Sequence, residues 1–294
     1  MPLRSAALAR VAALTALALG AAVVATAWAQ PAAPSAGAAA PATGPAAVAP
    51  PGAPPRARLG GYLGPDRLPD HAVFLPPPPA VDSVLGKADL AIFEETRRLE
   101  NGPRWQLAAN DDHIDRRSML ASFSCAVGVD LVAAETPALS RVLIRSGADL
   151  FPVIGAAKDK YQRPRPFVTE QGPVCITPSE DFAQSGSYPS GHAANGWLYA
   201  LLLAEIDPTD AAAIVNRGRA FGESRVVCGV HYLTDIEGGR LTASALVAAL
   251  HGTPEFETDV AAARAELTTL RGTNAPKRAA AACDTESASL ATPW

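Results

Sequence analysis

A chain of 294 residues, 48% hydrophobic and 18% charged, is sized for one or two domains. Aromatics make up 6%, and 27 prolines and 23 glycines without a strict period accompany a marked excess of alanine, which excludes collagen and argues against a strand-rich sandwich. The formal charge of −4 comes from 25 basic and 29 acidic residues with no long run of either sign, so there is no polybasic surface for nucleic acid or anionic lipid.

Residues 1–29 read as a cleaved signal peptide. Arg4 and Arg10 form a positive n-region, an apolar run extends from Val11 to about Val24, and Ala27-Trp28-Ala29 makes a small-x-small cleavage site before Gln30. The run is shorter than the ~20 apolar residues a spanning helix needs. Arg, Asp or Glu interrupts every later apolar stretch, so no membrane insertion is expected after cleavage. The expected location is periplasmic or secreted. Residues 30–59 are dominated by Ala, Pro and Gly, offer no aromatic nucleus for a core, and read as a disordered tether. Four cysteines follow: Cys125, Cys175, Cys228 and Cys283. None forms a C-x-x-C pair, which disfavours zinc. In an oxidising compartment they are expected to form two disulfides, with three pairings open.

Order is expected from near Tyr62. Phe74 to Pro79 must be extended, because each proline disfavours helix at the residue before it. Helical signals then dominate, predicting helices over 84–100, 104–118, 119–133, 137–161, 190–206, 208–224, 231–251 and 255–271. Thr136-Pro137, Asp207-Pro208 and Thr253-Pro254 each pair an N-cap residue with proline at the first helical position. The reading is all-α, a single helical-bundle domain over 60–275, followed by a C-terminal tail over 276–294.

Three clusters carry chemistry. In Lys158-Asp-Lys-Tyr-Gln-Arg163-Pro164-Arg165-Pro166, the seven-residue spacing predicts Lys158 and Arg165 two turns apart on one helix face, a pair suited to a phosphate-like anion. A bare charge run is more often a solvated face. In Gly186-Ser187-Tyr188-Pro189-Ser190-Gly191-His192, Ser190 caps a helix whose first N–H groups, at Gly191 and His192, would meet an anion. An ordinary capped helix with a surface histidine is the competing view. In Ser224-Arg225-x-x-Cys228-x-x-His231-x-x-x-Asp235, helical spacing makes His231 and Asp235 neighbours. A carboxylate on one ring nitrogen fixes the tautomer and leaves a lone pair on the other, as a nucleophilic histidine requires. A surface ion pair is the alternative.

Together, Lys158-x6-Arg165-Pro166, Pro189-Ser190-Gly191-His192 and Ser224-Arg225-x5-His231-x3-Asp235, separated by segments 167–188 and 193–223, resemble the signature of the type 2 phosphatidic acid phosphatase and vanadium haloperoxidase superfamily. Within it, Gly186-Ser187-Tyr188, Cys228-Gly229-Val230-His231 and the Pro-rich entry before residue 80 are similar to the secreted class A non-specific acid phosphatases, over about 74–271. The resemblance implies a helical bundle of that superfamily's type and an acid phosphatase of broad specificity for small-molecule phosphate monoesters, with phosphotransfer as a further capability. It implies His231 as nucleophile, His192 as general acid and Asp235 as the residue orienting His231. It implies Lys158, Arg165, Ser190, Gly191 and Arg225 as the phosphate-binding set. It implies no cofactor and no metal, and leaves homo-oligomerisation open. Related sequences carry cysteines at positions like Cys175 and Cys228, so that bridge is implied, and Cys125 with Cys283 is the pair then expected.

The rival reading is a vanadate-dependent haloperoxidase, which uses nearly the same anion cage. The short segment 167–188 and the Gly-Ser-Tyr prefix favour the phosphatase. A lipid phosphate phosphatase would need transmembrane helices, and a phosphate-binding protein would not need the set His231, Asp235 and His192.

Overall fold

The computed structural model describes residues 59–131, 136–273 and 277–291; the expected signal peptide and all of the tether but Leu59 lie outside them. The described residues form helices and no strand: α1 (His71–Phe74), α2 (Val84–Thr96), α3 (Pro103–Asn110), α4 (Arg116–Val127), α5 (Pro137–Tyr161), α6 (Pro166–Thr169), α7 (Glu180–Gln184), α8 (Gly191–Ile206), α9 (Ala211–Val227), α10 (Leu233–Leu250), α11 (Pro254–Gly272) and α12 (Ala280–Leu290). The fold is all-α, as the sequence predicts.

Local chemistry sets most helix starts. Ser83, Asp115 and Ser190 accept backbone N–H bonds from Gly86, Arg117 and Ala193, respectively, in the first turns of α2, α4 and α8. Pro103, Pro137 and Pro254 occupy the first turn of α3, α5 and α11, where a missing N–H costs nothing. Two expectations need correction. The predicted 104–118 helix breaks after Asn110, and a new helix begins at Arg116 because Asp115 caps it. Asp207-Pro208 does not start a helix. Asp207 instead pairs with Arg271, and α9 begins at Ala211. The tail is helical where described, as α12.

α8 is the central helix. Ala193, Ala194, Leu198, Tyr199, Leu202, Leu203 and Ile206 are buried over most of its circumference, and past the first turn only a stripe at Trp197, Leu201, Ala204 and Glu205 is partly exposed. It packs against α9 on one flank and α10 on another, with α5 closing the layer and α11 lying along α5. The main core joins these helices to α4 through Met119, Leu120 and Phe123. Gly239 permits the closest part of this arrangement: a Cβ there would stand 2.5 Å from the Ser190 carbonyl oxygen and 2.9 Å from Ala194 N. α10 can therefore lie directly against the N-terminus of α8.

Two anchors fix the ends of the described chain. The Asp149 carboxylate accepts the backbone N–H of Tyr62 at 2.7 Å and of Leu63 at 3.2 Å. At the other end, Cys283 is bonded to Cys125, and Arg278 donates to the Ala121 carbonyl. Cys175 is bonded to Cys228, which ties the loop after α6 to the end of α9. Disulfides of this kind commonly contribute ~2–4 kcal/mol. The Pro-rich entry is extended after Phe74, and Tyr161 and Tyr188 donate their hydroxyls to the carbonyls of Leu75 and Pro76. Those tyrosines pack edge-to-face at 5.5 Å.

Candidate active site

The turn between α9 and α10 builds the centre. Gly229 has φ +84°, a conformation glycine adopts without strain, and a side chain there would run into Arg97. The turn leaves His231 two residues ahead of α10, so the helical i,i+4 geometry expected for His231 and Asp235 does not apply. Asp235 sits in the first turn of α10, where its Oδ2 accepts the Tyr232 N–H at 2.9 Å and lies 3.3 Å from His231 Nδ1. Ser187 Oγ also faces Nδ1, at 3.2 Å, and donates to the same Oδ2 at 2.5 Å. On the other side of the ring, Arg165 donates to Nε2 at 3.0 Å. A guanidinium can only donate, so Nε2 carries the lone pair and Nδ1 the proton. His231 is 1% exposed and Asp235 is fully buried, which rules out a solvated surface ion pair.

Arg165 does not share a helix face with Lys158. α5 ends at Tyr161, Gln162 takes φ 45°, and Pro164 and Pro166 hold Arg163 and Arg165 out of helical conformation. Arg165 reaches the centre from this loop. It is held by bonds to the carbonyls of Phe182, Ser185 and Val230, and its guanidinium lies 3.7 Å from the Phe182 ring centre. Lys158, on the last turn of α5, donates to the Gly186 carbonyl. The Pro189–His192 segment is pinned beside it, with Ser190 N donating to the Asp235 carbonyl at 2.9 Å. At Gly191 a Cβ would meet nothing nearer than Ile154 at 3.7 Å, so packing within the chain does not demand glycine there.

Arg225 is fully buried, and its Nε and one of its two terminal nitrogens have no hydrogen-bond partner among the described residues. Its other terminal nitrogen lies 2.8 Å from Asp112 Oδ1 in an ion pair. His192 faces the same segment: its Nε2 donates to the Asp112 carbonyl at 2.9 Å.

The site is rich in positive charge. Burial and the neighbouring Arg165 push the Lys158 ammonium down to about 7, against the partial support of Asp235. Burial and Arg225 lower Arg165 to about 10. Burial lowers Arg225 as well, with Asp112 opposing. His231 is held well below the ordinary histidine range by burial and then by Arg165, Lys158, Arg225 and His192. His192 is likewise held well below it by burial and Arg225, with its bond to Asp112 opposing. An anion entering this space would relieve all five at once.

The structure thus brings together Lys158, Arg165, Ser190, Gly191, His192, Arg225, His231 and Asp235. Three further residues belong to the arrangement and were not singled out from the sequence for any role: Asp112, Ser187 and Arg163. Ser187 and Arg163 lie inside quoted clusters, but their partners are distant in sequence. Asp112 has no local signal. Arg163 donates to Asp235 Oδ1 at 2.6 Å and to Asp89 at 2.8 Å.

Residues 139–258, from α5 into the start of α11, match the PAP2 superfamily. Among characterised proteins, an acid phosphatase of Zymomonas mobilis is 41% identical over 199 residues, covering 67% of this chain and 75% of that protein. A non-specific acid phosphatase of Providencia stuartii is 38% identical, covering 71% and 86%, and one of Salmonella typhimurium is 34% identical, covering 70% and 83%. The matched stretch contains every motif residue of the cation-rich centre, and relatives this similar extend over most of their own length; the chain belongs to the PAP2 superfamily, as an acid phosphatase of PAP2 type.

Proposed function

We propose that the enzyme hydrolyses small-molecule phosphate monoesters through a phosphohistidine on His231, without a metal. The observation that carries this reading is the His231 ring. Its Nε2 lone pair is turned toward Arg165, and its Nδ1 is turned toward Asp235 and Ser187. In the first step Nε2 attacks phosphorus, the P–N bond forms and the ester P–O bond breaks. His192 gives its proton to the departing oxygen. Water then attacks phosphorus, the new P–O bond forms as the P–N bond breaks, His192 takes the water proton, and phosphate leaves with the His231 lone pair restored. Another alcohol in place of that water would give phosphotransfer.

Lys158, Arg165, Arg225, the Ser190 hydroxyl and the N–H groups at Gly191 would hold the three non-bridging oxygens. Phosphoryl transfer passes through a loose transition state, so fixed charge and position supply most of the catalysis. Arg225 gives the clearest support for the anion, because beyond its ion pair with Asp112 its guanidinium keeps buried N–H groups that are costly until a further acceptor arrives. Gly191 supports it too, since the room left there favours close approach of a ligand to the backbone. We assign the chain to the periplasm or exterior, on the sequence of residues 1–29 and the two disulfides. Vanadate should inhibit as a trigonal-bipyramidal mimic. Phosphate release from aryl, sugar and nucleotide esters, retained in EDTA, tests the reading. Bromination with added vanadate and peroxide, in the absence of phosphate release, would reverse it.

Lys158 supplies a pH test. Its ammonium, lowered to about 7, is charged in acid and loses its proton above that point. Phosphate binding above pH 7 must therefore also take up a proton. Linkage makes affinity fall up to about tenfold per pH unit beyond phosphate's own titration. Lys158→Arg keeps the charge, and the ratio of inhibition constants between wild type and variant cancels the ligand's ionisation. That ratio is expected to be flat below pH 6 and to climb above 7; a ratio independent of pH would remove Lys158 from the binding set.

A further inference from the structure

The Asp235 carboxylate has more partners than a simple orienting pair requires. Oδ1 accepts from Arg163 at 2.6 Å. Oδ2 accepts from Ser187 Oγ at 2.5 Å and from Tyr232 N at 2.9 Å, with His231 Nδ1 at 3.3 Å. Arg163 is itself shared. Its NH2 donates to Asp89 at 2.8 Å, and Asp89 also accepts the Thr234 N–H at 3.0 Å, which ties α2 to the first turn of α10. Ser187 N donates to the Arg163 carbonyl at 2.7 Å, so the backbone keeps Ser187 in place independently of its hydroxyl.

We propose that Arg163 and Ser187 are positioning residues for His231: Ser187 accepts from the ring while donating to Asp235, and Arg163 acts through Asp235, with Asp89 dividing the charge of Arg163. This rests on the reading of His231 as the nucleophile. Ser187 has one hydroxyl proton, which it gives to Asp235, so its lone pairs face the Nδ1 proton of His231. The chain of donation runs His231 to Ser187 to Asp235. As the P–N bond forms, the ring gains positive charge and the Nδ1 proton needs a stronger acceptor. The polarised hydroxyl supplies it.

Arg163 has the opposite task. A carboxylate beside a histidine favours the protonated ring, which cannot attack. Arg163 counters the Asp235 charge, and burial of the guanidinium is outweighed by Asp235 and Asp89, which together hold it above its ordinary value. The groups that bear on His231 are Arg165 from the loop before α6, Lys158 from α5, Arg225 from α9, His192 from α8 and Asp235 from α10. Arg163 and Asp89 reach it only through Asp235. The net effect keeps the ring neutral in acid, the range in which an acid phosphatase works.

The test uses the full chain and the acid limb of kcat/KM for p-nitrophenyl phosphate. Arg163→Met removes the guanidinium bonded to Asp235, so the limb is expected to move up by about one pH unit. Asp89→Asn directs the whole Arg163 charge onto Asp235, so the limb is expected to move down. The substrate's ionisation is common to all variants, and loss of a merely structural contact does not produce shifts of opposite sign. Arg163→Lys is expected to keep the limb near that of wild type. Ser187→Ala is expected to lower kcat roughly 10–10²-fold, the scale of a lost bond to a charged group, with KM little changed, and Ser187→Thr to restore it. If Arg163→Met fails to fold, Asp89→Asn decides. An acid limb that stays still or moves up in Asp89→Asn, or a Ser187→Ala loss confined to KM, would overturn the proposal. Mapping the trapped phosphoryl group in the wild type separates the two levels. Label away from His231 defeats the underlying reading, whereas label on His231 without these shifts defeats only the positioning.

Discussion

His231→Ala is expected to reduce turnover by roughly 10⁴–10⁶-fold, the scale on which loss of a covalent nucleophile is felt. The prediction separates chemistry from binding. Arg165 loses one partner, Nε2, but keeps the carbonyls of Phe182, Ser185 and Val230, so the guanidinium stays in place. Lys158 and Arg225 do not depend on the ring for any hydrogen bond. Inorganic phosphate should therefore still bind the variant with near wild-type affinity, measured by calorimetry, while activity on every ester disappears. Residual turnover above about 1% of wild type would mean that water attacks phosphorus directly and that His231 only assists.

His192→Ala is expected to divide substrates by their leaving group. p-Nitrophenolate departs without a proton, whereas the alkoxide of glycerol or a sugar does not. Loss of a general acid is commonly worth ~10²–10⁴-fold, so the alkyl ester should suffer that loss and the aryl ester much less. Burial and Arg225 hold His192 well below the ordinary histidine range, which favours its neutral form. A bound phosphate dianion reverses that balance, since a nearby negative charge favours the imidazolium. On the proposed mechanism, substrate binding thus arms the acid. His231 is held below the usual range, chiefly by burial, and so keeps a neutral ring as the pH falls. The two requirements overlap below neutrality, and kcat should peak there. Equal losses on both esters would assign His192 to phosphate binding or to holding the Asp112 segment.

The helices and the centre were legible to different degrees, for physical reasons. α5 and α8 could be read from local signals, Pro137 at the first turn and Ser190 as a cap, because capping depends on residues within one turn. The break between α3 and α4 was equally local, at Asp115, but apolar residues on either side masked it. The motif residues were legible because each cluster is short and ordered. Their geometry was less so. Lys158 and Arg165 were expected on one face, although the two prolines that end the helix also remove Arg165 from it. Asp235 was expected to meet His231 by helical spacing, whereas it does so as a first-turn residue that receives the Tyr232 N–H. Arg163, Ser187 and Asp112 were illegible because their partners, among them Asp89, Asp235 and Arg225, lie far along the chain. The tail gave no capping signal at Ala279, and its helix is held by Cys125 and by Glu286, 3.4 Å from the buried Arg217.

The most direct test of the account is the identity of the covalent intermediate. Enzyme turning over p-nitrophenyl phosphate labelled in its phosphoryl group is quenched in alkali, digested and mapped by mass spectrometry. The account predicts one labelled peptide, the one containing His231, whose phosphoryl group survives alkali and is lost in acid. An absence of label during rapid turnover, or label on His192 or on a serine, would contradict it.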